Sequence, residues 1–552
     1  MATSDIRGVP QHDSTTPATQ AQPKLGLLTM VRLGVFNMGL GIMSLLTLGI
    51  LNRVMIDELK VPALIAASAI AVHQFMAPAR IWFGQMSDAK PLFGYHRSSY
   101  IWLGIATMAV SAFIAVQVVW QIGSAVEAQG WGPAAYPWVG LLALVFAGYG
   151  LALSSTSTPF TALLVDVSDD ETQSQLVGIG WGMLMLGIIT GVVITAIVLG
   201  SLGDEPSLAQ LQGSINRLFI IAPSIVCGLA ILSTFGIEKK YSRLQLRSEA
   251  SAIAAASSSK PTATSSQSAK SAREDQITLA SAIKVLTASR QTGLFFCFLL
   301  VLSLSLFMQD AVLEPYGGQV FGMAISETTQ LNAFFGMGTL FGIIVTSFLT
   351  APKPNADKIK AAVAQTRTQF AGALGKAIAS LVRIGLSLQA LFPRLTKKQA
   401  VKWGCLGAVF SFVLLILAGI PAQPPLLMGA VLCLGLAAGG LTTGSILLML
   451  DLTIAETAGT FIGAWGLAQA MARGGATVLG GAVLSLGKFL LTAINGGTLP
   501  PDDQIFPAYG LVFATQAVGM LAAIALLGRV NIREFQTNAQ AAITAALEGD
   551  LD

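Results

Sequence analysis

The chain has 552 residues, of which 53% are hydrophobic and 11% charged, with a formal net charge of +4 and a mean hydropathy of +0.69. Soluble proteins carry about 25% charged residues, so one buried core with a solvated surface is excluded. The four cysteines, Cys227, Cys297, Cys405 and Cys433, all lie in apolar runs at no metal or redox spacing and read as small core residues.

Residues 1–26 are polar and rich in Ser, Thr, Gln and Pro, with no apolar signal-peptide core, and read as a disordered cytoplasmic tail. Long apolar runs follow, each of the length a membrane helix needs, about 20 residues. They are expected near 30–54, 62–86, 98–122, 137–165, 175–200 and 216–236, then 290–311, 328–350, 401–420, 425–450, 458–487 and 507–529. The reading is an all-α polytopic membrane protein of 12 transmembrane helices in two halves, 27–236 and 290–529, followed by a cytoplasmic tail at 530–552. Between the halves, 237–289 contains Ser-Ala-Lys low complexity that cannot build a core and reads as a cytoplasmic linker. Lys and Arg concentrate there and in 351–402, whereas the opposite-side loops carry only Arg53, Lys60 and Lys488, with Arg217 at a helix start. The excess of basic residues marks the cytoplasmic face, so both termini are expected there. The insertion 351–400 carries Phe370, Leu374, Ile378, Leu381 and Leu388 at helical period. It reads as an amphipathic helix that lies on the inner leaflet, docks a partner or is an ordinary surface helix.

The two halves repeat each other. Leu163-Leu164-Val165-Asp166, Glu171-Thr172, Gly178 and Trp181-Gly182 recur as Leu448-Met449-Leu450-Asp451, Glu456-Thr457, Gly463 and Trp465-Gly466. The offset is 285 residues, with one deletion before the second Trp-Gly pair. Parallel halves of several membrane helices are a transporter architecture. Gly84-Gln85-Met86-Ser87-Asp88 and Gly94-Tyr95-His96-Arg97 then stand between the second and third spans. They resemble the signature loop of the major facilitator superfamily, with Ala89 to Phe93 inserted between its two parts. Gly84 is expected to allow close helix approach, and Asp88 to meet a helix end or an Arg across the cytoplasmic gate. Arg80, near the inner end of the second span, is expected in a gate salt bridge. The repeated acids Asp166, Glu171, Asp451 and Glu456 read as gate architecture too.

A narrower resemblance rests on five motifs in order. They are Leu51-Asn52-Arg53-Val54-Met55-Ile56-Asp57-Glu58-Leu59, Ala77-Pro78-Ala79-Arg80, Ala162-Leu163-Leu164-Val165-Asp166, Gln309-Asp310-Ala311-Val312-Leu313-Glu314-Pro315-Tyr316-Gly317-Gly318 and Trp465-Gly466-Leu467-Ala468-Gln469-Ala470. These are similar to the PucC/LhaA, or bacteriochlorophyll delivery, family of the major facilitator superfamily, and a cyanobacterial-type member would fit. The similarity covers roughly 30–236 and 290–529 and fails in the tail, the linker and 351–402. It implies a photosynthetic membrane protein in a thylakoid, intracytoplasmic or plasma membrane. Such a protein assists assembly of light-harvesting or photosystem polypeptides and brings (bacterio)chlorophyll as cargo, with no tightly bound cofactor and no nucleic-acid partner.

A chlorophyll needs an axial ligand for magnesium, an apolar slot and donors for its carbonyls. Among the histidines His12, His73 and His96, only His73, beside Gln74, stands mid-span. It reads as an axial ligand or as a hydrogen-bonded packing residue. Trp465, Gln469 and Arg473 are spaced four apart and share a face, where the first half has the less polar Trp181, Met185 and Ile189. A guanidinium at that depth either lines a cavity and holds a carbonyl, carboxylate or phosphate, or pairs internally with Asp310, Glu314 or Asp451. Asp310 and Glu314, also four apart, read as proton-coupling groups of a transporter or as helix caps and loop braces. No catalytic constellation is visible, and the chain does not read as an enzyme. Three functions stay open: pigment delivery and assembly, proton-coupled transport of a small amphipathic or anionic solute, and a structural membrane subunit.

Overall fold

Twelve helices long and apolar enough to cross a membrane stand among the described residues. The computed structural model describes residues 25–168, 170–200, 207–242, 290–350, 380, 395–452, 458–498, 501 and 504–531. The first six spans are Leu27–Glu58, Ala63–Ala89, Ser98–Gln129, Tyr136–Val167, Gly178–Leu199 and Leu208–Tyr241. The second six are Gly293–Ala311, Ile325–Thr350, Lys397–Gly419, Pro424–Met449, Gly466–Ile494 and Phe506–Arg529. Large apolar side chains such as Trp403, Phe489 and Ile197 point outward, most of each exposed. Polar Thr47, Ser154, Gln319 and Gln516 are buried. This inside-out distribution belongs to a chain solvated by lipid.

Both halves use one packing plan. The first span packs on the fifth and sixth, the second on the fourth, and the third on the fourth and sixth. In the other half the seventh packs on the eleventh and twelfth, the eighth on the tenth, and the ninth on the tenth and twelfth. The eighth and tenth approach so closely that a methyl on Gly342 or Gly439 would meet the partner's backbone, which is what small residues permit in membrane interfaces. The halves meet through the second and eleventh spans and through the fifth and eighth. This is the major facilitator fold, two parallel six-helix halves.

Several boundaries differ from the sequence expectation, each for a local reason. The sixth span begins at Leu208, well before the expected 216, because Ser207 and Gln210 form a reciprocal capping box. The third continues to Gln129 and stops where Gly130 takes φ 72°. The linker was expected to begin at 237, yet Ile237–Tyr241 is helical and Glu238 is fully buried in the first half. The first span reaches Glu58 through two π segments, Leu45–Leu51 and Val54–Glu58. The expected tails, most of the linker and nearly all of 351–394 lie outside the described residues.

Candidate functional site

The seventh span is broken, and the break organises the site. Its helix Arg290–Phe307 passes into a 3-10 turn, Met308–Ala311, and resumes as Leu313–Phe321. Pro315 supplies the cause, since it has no N–H to give the carbonyl four residues back. That carbonyl belongs to Ala311, and it accepts instead from Asn52 Nδ2 of the first half at 2.8 Å. Gln309, Asp310 and Glu314 are thereby turned toward the junction of the halves.

Arg473 answers Asp310. Its Nε and Nη2 both donate to Asp310 Oδ2, at 3.0 and 2.9 Å, and its guanidinium lies 4.5 Å from the centre of the Phe307 ring. Of the alternatives left open by the sequence, the structure shows the internal ion pair, on a side chain that is still 36% exposed. Glu314 lies deeper, 4% exposed, and accepts from Asn332 Nδ2. It presses against Gly49 of the first span, where any Cβ would collide with its carboxylate. These groups surround a cavity of about 80 Å³ between the halves, with Ser44 and Ile188 on its walls.

Beyond the cavity the halves are clasped. Arg53 Nη1 donates to Thr328 Oγ1 and Nη2 to the Met323 carbonyl at 2.6 Å, while Nε is 3.2 Å from Asp57. Gly318 leaves the room that the Arg53–Asp57 pair occupies. The motif closing the first span and the motif closing the seventh therefore face each other. Sequence reasoning named both motifs and missed that contact.

On the side away from the clasp, an apolar pocket of about 370 Å³ opens between the seventh, tenth and eleventh spans. Phe296, Leu300, Leu306 and Phe307 line it, with Ser303, Thr442, Ser445 and Gln469 as its polar groups. Ser445 is buried and its Oγ has no hydrogen-bond partner among the described residues. Gln469 thus stands where a cavity was expected; the Trp465 side chain lies outside the described residues. His73 is elsewhere, packed edge-on against Tyr149 with ring centroids 5.7 Å apart. Its Nδ1 donates to the Ile70 carbonyl at 2.5 Å, and Nε2 accepts from Gln74 at 2.9 Å. Both nitrogens are engaged in hydrogen bonds, the arrangement of a packing residue.

At the signature-loop end, Arg97 binds Asp88 at 2.5 Å, Asp166 at 3.1 Å and Ser87 Oγ at 2.7 Å. Glu238 accepts from the backbone N–H of His96, Arg97 and Ser98, at 2.6, 2.9 and 2.7 Å, and so caps the third span. This network lies wholly within the first half, and Asp88 meets Arg97 at the start of the third span, a helix end. Asp88 pairs with Arg97, and the buried Arg80 Nε has no hydrogen-bond partner among the described residues. Gly84 is not needed for close approach, since a Cβ there would make an ordinary 3.4 Å contact with Thr158. Gly94, at φ 79°, completes a tight turn in which Leu92 and Tyr95 exchange backbone hydrogen bonds. The side chains of Glu171, Asp451 and Glu456 lie outside the described residues.

A broken helix, an ion pair between the seventh and eleventh spans, and two clasped six-helix halves define a polytopic membrane protein of the major facilitator type. Solved structures agree on the fold. A nucleoside transporter NupG mutant matches at TM-score 0.55 and 13% identity, over 90% of this chain and 99% of its own. A bacterial homologue of the iron transporter ferroportin, inward-facing, matches at 0.55 and 12%, over 92% and 100%. The family described as "PUCC protein" matches residues 50–374 and 359–535, and the chain belongs to that family. Three Rhodobacter capsulatus relatives are similar along nearly their whole length. An uncharacterized protein of the puhA-bchM intergenic region is 26% identical over 93% of this chain and 91% of its own. A protein named bacteriochlorophyll synthase 44.5 kDa chain is 28% identical over 90% and 93%, and Protein PucC is 27% identical over 92% and 93%.

Proposed function

We propose that the protein is an assembly factor for light-harvesting or photosystem chlorophyll-protein complexes and that it binds (bacterio)chlorophyll for delivery. The observation that carries this reading is the apolar pocket of about 370 Å³ whose few polar groups are hydroxyls and an amide. Ligand pockets have this character, mostly apolar walls with a few placed polar groups. Magnesium favours oxygen ligands, and Gln469 and Ser445 offer oxygens that His73 does not match with a free nitrogen. Arg473, over Phe307 at the pocket's end, has an exposed edge for a cargo carbonyl. The bacteriochlorophyll in one relative's name, and membership in the PucC family, support a pigment as cargo. We read the chain as a carrier without catalysis of its own, in a photosynthetic membrane with both termini cytoplasmic.

The test is an absorption spectrum of the protein purified in mild detergent from its own membranes. A near-stoichiometric chlorophyll band that falls several-fold in Gln469→Leu and stays in His73→Ala is expected. A stable, colourless protein would overturn the reading. A second reading, a coupled transporter of a small amphipathic or anionic solute, is favoured by one observation, the acids and Arg473 gathered at the helix break. Uptake by proteoliposomes that is lost in Asp310→Asn would support it.

A further inference from the structure

Two buried residues at the helix break line the same cavity, each with an oxygen that accepts from nothing among the described residues. Glu314 Oε2 and Gln309 Oε1 are those oxygens, their residues are 4% and 2% exposed, and both residues line the cavity of about 80 Å³ between the halves. Leaving a buried acceptor unsatisfied costs about 1–3 kcal/mol, more when it is charged. Two residues with such acceptors around one space require a positive charge or donors between them.

The surrounding charges set how large that charge is. Asp310, from the same span, is balanced by Arg473 of the eleventh. Arg53 and Asp57 of the first span balance each other. The eighth span presents Asn332 and Phe335, and the fifth presents Ile188, none of them charged. Glu314 accepts from Asn332 but has no paired cation among the described residues, so its carboxylate would bring one negative charge to the cavity. A divalent ion would replace that deficit by an excess, which is costly at membrane depth.

Oxygens available to an ion come from Glu314 and Gln309, with Asp310, Ser44 and Asn332 at the cavity wall, where the Arg473 guanidinium is held by Asp310. Hard cations take such ligands. The backbone points the same way. The seventh span is interrupted by the 3-10 turn Met308–Ala311, and the first span carries the π segment Leu45–Leu51 opposite it. Discontinuous helices near mid-membrane are where transporters hold coupling ions, and π segments gather at functional sites.

We propose that this cavity is a Na⁺ site, with the Glu314 carboxylate supplying the charge and the Gln309 carbonyl a neutral ligand. The ion ties the first, seventh and eighth spans together beside the Arg53 clasp, and so favours the clasped arrangement of the halves. It is independent of the pigment reading and can hold whether or not a pigment binds.

The experiment is thermal unfolding of the full-length protein in detergent at constant ionic strength, with Na⁺ replacing K⁺ or choline, at one acidic and one neutral pH. The expected result is a Tm that climbs with Na⁺ concentration, as ligand linkage requires, and does not climb with K⁺. Glu314→Gln and Gln309→Leu should each abolish the Na⁺-dependent rise; if Glu314→Gln does not fold, Gln309→Leu decides alone. Equal Tm in the three salts would overturn the site. So would a Tm that follows acidity and ignores Na⁺, which would place a proton on Glu314 instead.

Discussion

Arg473 and Asp310 stabilise each other only as a pair. Removing Arg473 leaves Asp310 without compensation, and because Arg473 is 36% exposed the cost falls below that of a fully buried pair. Arg473→Leu is therefore expected to lower the Tm in detergent, while Arg473→Gln combined with Asp310→Asn restores most of it. A single variant as stable as the parent would show that Asp310 finds another partner. Glu238 makes the opposite case for legibility. Arg473 could be singled out in the sequence because a guanidinium interrupts an apolar run. Glu238 sits beside Lys239 and Lys240 at the edge of a low-complexity stretch, and nothing local says that it accepts three backbone N–H groups some 140 residues away. Hydrogen bonds to charged groups are worth about 1.5–3 kcal/mol each. Glu238→Ala should accordingly speed amide hydrogen exchange at the start of the third span, and unchanged protection there would refute the cap.

At the scale of elements, the membrane's demand for about 20 apolar residues made all twelve spans readable, and what stayed hidden were their ends and interruptions. The sixth span starts at a capping box that polar residues after it obscured. Ser207→Ala should cost about 1 kcal/mol, seen as faster exchange over the first turn at Leu208 with the rest of the helix unaffected. The break in the seventh span had a signal in Pro315, but its stabilising partner, Asn52, lies 259 residues away. Gly318 is the element-scale counterpart: Gly318→Ala would drive a methyl into Asp57 and Arg53. That variant should loosen the clasp, read as faster amide hydrogen exchange over Gly317–Met323, and unchanged exchange there would mean that the guanidinium has other room.

Over the whole molecule, the named contacts between the halves lie at mid-depth and toward the Arg53 clasp. Leu64 N–H donates to Ser485 Oγ at 3.0 Å, Gly481 packs on Ala63 and Ala67, and Gly474 packs on Gln74 and Phe75. The duplication legible at an offset of 285 residues foretold two bodies with one packing plan. It did not foretell which ends of them touch, because that depends on surfaces from both halves that no single stretch contains. The touching end gives a way to separate the readings of function. If cargo moves by rocking one half against the other, as in alternating access, a covalent tie across the second and eleventh spans must stop it. Leu64→Cys with Ser485→Cys, in a chain whose exposed Cys297 is changed to Ser, should form a disulfide on oxidation. Pigment transfer to antenna polypeptides, or solute uptake, is then expected to fall at least tenfold and to return on reduction. Undiminished transfer in the oxidised protein would show that the halves work as one rigid body, a scaffold whose pocket loads and unloads with the clasp closed.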